Sequence, residues 1–240
     1  PATIRAYAPS DEVGPAASVG LPDGGRASVL VASSEQFARR LAKVARLRAR
    51  WARREDVTCY RVYDADLPDY AVAIELYEGS ETPGRWLTVS EYAAPRGVDP
   101  ELARRRLLDV LTIAPRVLGV APSDVSLRVR TRARGGSQYA GEGSAGAGGP
   151  RERRSPRRGD RPRLPEGAHL VDEGGLTFEV NFSQRLDCGI FLDHRETRSR
   201  IREMMKRTQG SKRFLNLFAY TGTATCYAAD GGAKFTTTVD

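Results

Sequence analysis

The feature that most restricts how this chain can fold lies at its carboxyl-terminal end, where strand, turn, helix, strand and acid follow in close succession. Phe214-Leu-Asn-Leu-Phe218 reads as a buried strand and Ala219-Tyr-Thr-Gly222-Thr223 as a tight turn. Ala224 to Asp230 reads as a short helix stopped by Gly231-Gly232, and Lys234 to Val239 as a second strand ending on Asp240. In a parallel α/β sheet this order sets the turn and Asp240 side by side at the carboxyl ends of adjacent strands, where ligands bind. Gly222 lets a ligand approach the backbone with no Cβ in the way. An acid ending the second strand can accept hydrogen bonds from ribose hydroxyls. Dinucleotide sites seat a pyrophosphate on G-x-G-x-x-G, and P-loops require Gly-Lys-Ser/Thr. The turn has one glycine and neither motif. That suits S-adenosylmethionine, which carries a ribose but no phosphate. It also suits an ordinary βαβ unit whose Asp240 caps a following helix.

Charge is the second constraint. The chain carries a net +8, concentrated in two places. Residues 37–55 hold Arg39, Arg40, Lys43, Arg46, Arg48, Arg50, Arg53 and Arg54 against Glu55, a net +7. Residues 151–163 hold seven arginines against Glu152 and Asp160, a net +5, so the remainder is negative. Such clustering is the footprint of a polyanionic partner, and equally of a solvated helix face followed by a solubilising linker. The first cluster lies on a helix predicted over 37–55. Phe37, Leu41, Val44, Leu47 and Trp51 recur at helical spacing as its packing stripe, and Ser34 stands as a candidate N-cap. Arg39, Arg40, Lys43, Arg46, Arg50, Arg53 and Arg54 are the candidate RNA-binding residues.

The rest of the chain divides by composition. Residues 1–34, small and punctuated by Gly and Pro, read as a linker or the tail of an upstream domain. Strand-like runs at 58–63, 70–77 and 85–92, a helix over 100–118 with Pro115 inside it and Gly119 as its stop, and a strand at 125–131 follow. Together, 35–139 form a small α+β unit. Residues 140–166 lack the apolar content for a core and read as a flexible Gly/Arg-rich linker, or as an RNA-contacting loop gaining from counterion release. Order resumes at 167–240 with a hairpin (169–171 and 176–182), a Cys188-to-Arg195 segment and a helix over 195–208.

At these residues a resemblance enters. Phe191-Leu-Asp-His-Arg195, Asn216-Leu-Phe-Ala-Tyr-Thr-Gly-Thr-Ala-Thr225 and Gly231 to Asp240 closely resemble the guanine-N7 methyltransferase half of the bifunctional 23S rRNA methyltransferases. Residues 59–77 and Gln36 to Leu41 are similar to the amino-terminal unit of that half. The 140–165 tract departs from the family's pattern and receives no role from it. The resemblance implies an α/β protein: a small α+β RNA-associated domain, then the start of a Rossmann-like class I methyltransferase domain, truncated. It implies S-adenosylmethionine as cofactor and 23S ribosomal RNA as partner, with a second methyltransferase module preceding the chain. Carried over, Phe218, Ala219, Tyr220, Thr221, Gly222 and Thr223 line the cofactor, and Asp240 holds its ribose. Asp193, His194 and Arg195 flank its amino-acid end, with Arg195 pairing to the carboxylate. The plainer reading makes Asp193 a helix N-cap and His194 a packing residue.

The family's Asp-Pro-Pro-type substrate loop is not found in residues 1–240, so no catalytic residue is assigned and the chain alone is expected to be inactive. A related cytosine-C5 rRNA methyltransferase, or a non-catalytic RNA-binding module, are the competing readings. Three scattered cysteines (Cys59, Cys188, Cys226) and two histidines (His169, His194) give no metal-ligand spacing and fit a reducing, cytoplasmic setting. No apolar run is long enough to span a membrane.

Overall fold

The structure, a computed structural model, describes residues 17–79, 84–92, 97–129, 164–183 and 188–240. The expected mixed α/β architecture is present. Its first surprise is early: residues 17–33 are not a linker. Ala17–Gly20 (β1) and Arg26–Val29 (β2) form an antiparallel hairpin. Val19, Ala27 and Val29 bury one face of it against the main core. Ala-Ser-Val-Gly and Arg-Ala-Ser-Val alternate polar and apolar over only four residues each, too short for a convincing period.

Helix α1 (Ser34–Arg54) starts three residues earlier than its apolar stripe suggests. Ser33, not Ser34, occupies the N-cap position, and no side chain caps the helix there. Ser34 is instead fully buried, donating to Asp109 Oδ2 at 2.5 Å and sharing a hydrogen bond with Tyr70 Oη at 2.8 Å. Phe37 and Leu41 are wholly buried, contributing about 2 kcal/mol each, whereas Leu47 is exposed and lies outside the stripe. The buried face continues through Val44, Ala45, Trp51 and Ala52.

Strands β3 (Tyr60–Asp64), β4 (Val72–Glu78), β5 (Arg85–Glu91) and β6 (Val125–Val129) form a sheet in the order β3-β4-β5-β6. The first three are antiparallel meanders, and β6 joins β5 in parallel after helix α2 (Pro100–Leu118) crosses over. Asp99 caps α2 through its carboxylate to the Glu101 N–H, and Gly119 closes it in the left-handed region at φ 65°. Pro115 sits within the helix without ending it. Alternation along the strands gives this sheet two distinct faces. Val62, Val72, Ile74, Leu76, Leu87 and Val89 pack under α1 and α2. The opposite face presents Arg61, Glu75, Tyr77, Trp86, Thr88 and Ser90.

A second hairpin, β7 (Ala168–Glu173) with β8 (Leu176–Asn181), covers part of that opposite face. Val171, Phe178, Val180 and Phe182 pack there with Cys59, Tyr77, Trp86, Cys188, Ile190 and Tyr227. The approach is close enough that a Cβ at Gly79 would collide with the Leu170 carbonyl. Helix α3 (Arg195–Arg207) leads into β9 (Arg213–Leu217), helix α4 (Thr223–Asp230) and β10 (Phe235–Val239). β9 and β10 pair in parallel, Phe235 with Arg213 through Val239 with Leu217. They are not buried as their apolar content suggests: Leu215, Leu217, Phe235 and Val239 are exposed. The 140–163 part of the Gly/Arg tract lies outside the described residues.

Candidate functional site

The turn between β9 and α4 is built from backbone conformations that cost energy. Phe218 and Tyr220 hold φ of 55° and 54°, in the left-handed region that non-glycine residues seldom occupy, and Gly222 follows at 75°. Strain of this kind persists where surrounding contacts over-determine it, and it clusters at ligand sites. Here the contacts are explicit. The Tyr220 N–H donates to Asp240 Oδ1 at 2.8 Å, and the Ala219 N–H donates to the Val239 carbonyl at 3.1 Å. Asp240, at the end of β10, is thereby fixed against the turn, as the parallel pairing requires. Thr225 ties the base of the unit together. Its hydroxyl accepts from Asn216 Nδ2 at 3.0 Å on β9 and shares a hydrogen bond of 2.8 Å with Thr238 on β10.

The segment 188–195 closes one side of the turn. The Thr221 hydroxyl donates to the Gly189 carbonyl at 2.6 Å, and the Phe191 and Tyr220 rings lie 4.9 Å apart. Asp193 and His194 belong to a 3-10 turn, Leu192–His194, ahead of α3. His194, not Asp193, takes the N-cap position of α3, without a capping hydrogen bond. His194 lies 5.6 Å from Phe191, ring to ring. Arg195 points toward α1: its guanidinium sits 5.1 Å over the Trp51 ring and 3.6 Å from Glu196. Phe218 is almost fully exposed, Ala219 is buried, and Tyr220, Gly222 and Thr223 are half-buried, while Thr221 and Asp240 are exposed. A Cβ on Gly222 would meet only the Thr238 methyl at 3.9 Å, so φ, not crowding, is what calls for glycine there.

The basic residues of α1 all reach solvent. Arg39 pairs with Glu35 at 2.6 Å, Arg40 with Asp66 at 2.7 Å and Arg54 with Glu55 at 2.8 Å. Lys43, Arg46, Arg50 and Arg53 form no ion pair among the described residues.

Between α1, the second face of the sheet and segment 188–195 lies a cleft of about 450 Å³ that was not singled out from sequence. Four guanidiniums (Arg48, Arg61, Arg128, Arg195) and two carboxylates (Glu75, Asp193) line it, with Trp51, Tyr60, Tyr77 and Phe191 between them. Glu75 is held on its floor by Arg61 at 2.8 Å, Tyr77 Oη at 3.0 Å and Thr88 at 3.2 Å. Burial, with Cys188 and Glu75 close by, pushes the Tyr77 phenol well above its ordinary value. Burial likewise raises the Cys188 thiol, which lies 2.7 Å from Tyr77 Oη, although Arg128 opposes the shift. Both therefore stay protonated, and the cleft's charge is set by its arginines and two carboxylates. The available signal was Glu75 at the centre of an otherwise apolar strand, opposite Arg61 and Thr88 in register.

Among the described residues no helix is long and apolar enough to cross a membrane, and no cluster of His, Cys, Asp and Glu is arranged to hold a metal ion.

No protein-family model matches the chain. The chain is similar to the ribosomal RNA large subunit methyltransferase K/L of Methylococcus capsulatus, 44% identical over 215 residues that make up 90% of the chain and 26% of that protein. The proteins of the same description from Pseudomonas putida and Allochromatium vinosum are 43% and 46% identical over 92% and 85% of the chain. The chain spans about a quarter of the length of these relatives. Among solved structures it is similar to a putative methyltransferase complexed with SAH, at TM-score 0.49 and 21% identity over 83% of this chain and 43% of that one. A putative SAM-dependent methyltransferase from Streptococcus mutans, 44% covered, is similar at the same TM-score.

Proposed function

We propose that this chain is the part of an S-adenosylmethionine-dependent 23S rRNA methyltransferase that grips the RNA and opens the cofactor site, with guanine N7 as the atom methylated. The observation that carries the reading is the strained Phe218–Gly222 turn locked to Asp240 through the Tyr220 N–H. The similarity of nearly the whole chain to proteins described as rRNA methyltransferases supports it.

The residues present suit the cofactor. Asp240 spends Oδ1 on the turn and keeps its exposed side for a ribose hydroxyl. Left-handed φ at Tyr220 and Gly222 bends the backbone of Phe218 to Thr223 into a cradle, with the Tyr220 and Phe191 rings forming an apolar wall for adenine. Asp193, His194 and Arg195, on the segment pinned by Thr221 to Gly189, stand at its flank. When bound, the cofactor supplies a methyl group on a sulfonium. Guanine N7 already carries a lone pair, so the protein's task is in-line positioning more than acid–base chemistry. No residue of the chain is assigned as a catalytic acid or base. Lys43, Arg46, Arg50 and Arg53, with their ion-paired neighbours Arg39, Arg40 and Arg54, supply the phosphate contacts.

The test is methyl transfer from labelled S-adenosylmethionine to 23S rRNA by the full-length gene product. Label on guanine N7 is the expected result. Label on cytosine C5 would replace the target assignment, and RNA binding without cofactor binding would replace the enzyme reading by a binding module. Asp240→Ala is expected to weaken cofactor binding at least about tenfold, equivalent to the loss of a charge-assisted hydrogen bond. Unchanged affinity would remove Asp240 from the site.

A further inference from the structure

Resting on the reading of the chain as RNA-directed, we infer that the cleft between α1, the sheet and segment 188–195 holds one nucleotide of the RNA strand, its base stacked and its phosphate on Arg48 and Arg195. It adjoins the cofactor turn and shares Phe191, Asp193 and Arg195 with the flank assigned to the cofactor. Neither the turn residues 218–223 nor Asp240 lines it.

Three observations converge. First, size and composition fit: about 450 Å³ falls in the range that small-molecule sites occupy. Its lining has four guanidiniums against two carboxylates, with aromatic rings interleaved. Single-stranded nucleic acid is held by that combination, cations tracking the backbone and flat groups stacking on bases. Second, Arg195 presents a stacking platform. Its guanidinium is held 5.1 Å over the Trp51 ring, a pairing that joins α1 to the start of α3. Arg48 stands one helical turn ahead of Trp51 and is exposed, so it can meet a phosphate at the cleft mouth. Lys43, Arg46, Arg50 and Arg53 are exposed on the other side of the same helix and do not line the cleft.

Third, the position suits an acceptor strand. The wall formed by Gly189 to Arg195 is shared with the turn, through Thr221 to the Gly189 carbonyl and Phe191 against Tyr220. A strand anchored in the cleft would therefore pass beside the cofactor with one residue layer between. The floor is pre-organised: Glu75 is saturated by Arg61, Tyr77 and Thr88, so its charge is neutralised and does not repel a phosphate.

The chain carries its own reporter. It has two tryptophans, of which Trp86 is buried under the β7–β8 hairpin and Trp51 lines the cleft. In a Trp86→Phe background, a single-stranded RNA tetranucleotide and guanosine monophosphate are expected to quench Trp51 fluorescence saturably, whereas inorganic phosphate leaves it unchanged. Arg48→Ala and Arg195→Ala should each raise the dissociation constant about tenfold, read independently by anisotropy of labelled RNA. Arg195→Lys keeps the charge and loses the flat group, so it should restore only part of the affinity. Arg48 is exposed, so its variant keeps the fold, and circular dichroism verifies this for Arg195. Absence of saturable quenching, or wild-type affinity in both arginine variants, overturns the proposal. Displacement of the nucleotide by S-adenosylhomocysteine, or loss of nucleotide binding in Asp240→Ala, overturns it differently, by making the cleft part of the cofactor site. A failed cofactor assignment would instead leave quenching and its arginine dependence intact.

Discussion

A single buried carboxylate shows how much of this molecule is decided residue by residue. Asp109, on α2, is 1% exposed and accepts from the Leu30 N–H at 2.7 Å, the Val31 N–H at 3.0 Å and the Ser34 hydroxyl at 2.5 Å. It thus ties the chain leading into α1 to α2, while the first N–H groups of α1 donate to the carbonyls of Val31, Ala32 and Ser33, so the helix start does without a side-chain cap. Burial pushes its carboxyl above the ordinary value, and the three donors pull partly back. Asp109→Ala leaves two backbone N–H groups and a hydroxyl without their partner, and should cost about 2–4 kcal/mol in urea unfolding. Asp109→Asn keeps one acceptor oxygen and should cost less. Equal losses for the two would mean that packing, not hydrogen bonding, is at stake. Nothing in the spacing of Ser34 and Asp109, 75 positions apart, announces this contact. Sequence patterns report local periodicity, and a Ser just ahead of an amphipathic run looks like a cap whichever way it points.

At the scale of elements, periodicity told most and tertiary pairing told the rest. The long helices, the three meander strands and the strand–turn–helix–strand unit were legible because their apolar spacing runs over many residues. The β1–β2 hairpin was not, because four-residue strands show too little pattern. The turn at 218–223 and Asp240 were legible as neighbours because parallel pairing leaves them no other place. The strain at Phe218 and Tyr220 was not, since nothing in either residue type requires it. The link between β7 and α3 belongs to the hidden kind. Arg198 meets Glu173 with two hydrogen bonds of 2.8 Å, both side chains nearly dry, and Tyr227 donates to the same carboxylate at 3.0 Å. A buried pair of this geometry costs desolvation on both sides, so its removal as a pair is nearly neutral, whereas removing one partner strands a charge. Arg198→Met should therefore destabilise by about 3–5 kcal/mol, and Arg198→Met combined with Glu173→Leu should recover most of it. A double variant as destabilised as Arg198→Met alone, measured by thermal or urea unfolding, would show that the pair is a net source of stability, and additive losses would show that the two residues are not coupled.

Across the whole molecule, the four-stranded sheet is the common wall between its two parts. Helices α1 and α2 cover one face, and the β7–β8 hairpin covers part of the other, leaving the arginine-lined cleft where cover stops. The docking of hairpin on sheet includes one group that titrates near neutrality. His169 on β7 lies 4.6 Å from Trp86 of the sheet and 5.3 Å from Phe182, ring to ring. Burial lowers its pKa below the ordinary 6.5, with Asp124 acting weakly the other way. A depressed pKa means that the unfolded chain takes up the proton first as pH falls. The associated stability is therefore fully present above the ordinary value and is lost as pH drops toward the folded one. Acid should therefore loosen this junction. The melting temperature should thus fall more between pH 7.5 and pH 5.5 in the wild type than in His169→Phe, which keeps the stack and removes the proton. Carboxylates such as Asp109 and Glu91 titrate alike in both proteins and cancel in the difference. Identical acid shifts in the two would assign the pH dependence to groups away from the junction. A smaller shift in the variant, with Trp86 fluorescence tracking the transition, would place it where the hairpin meets the sheet.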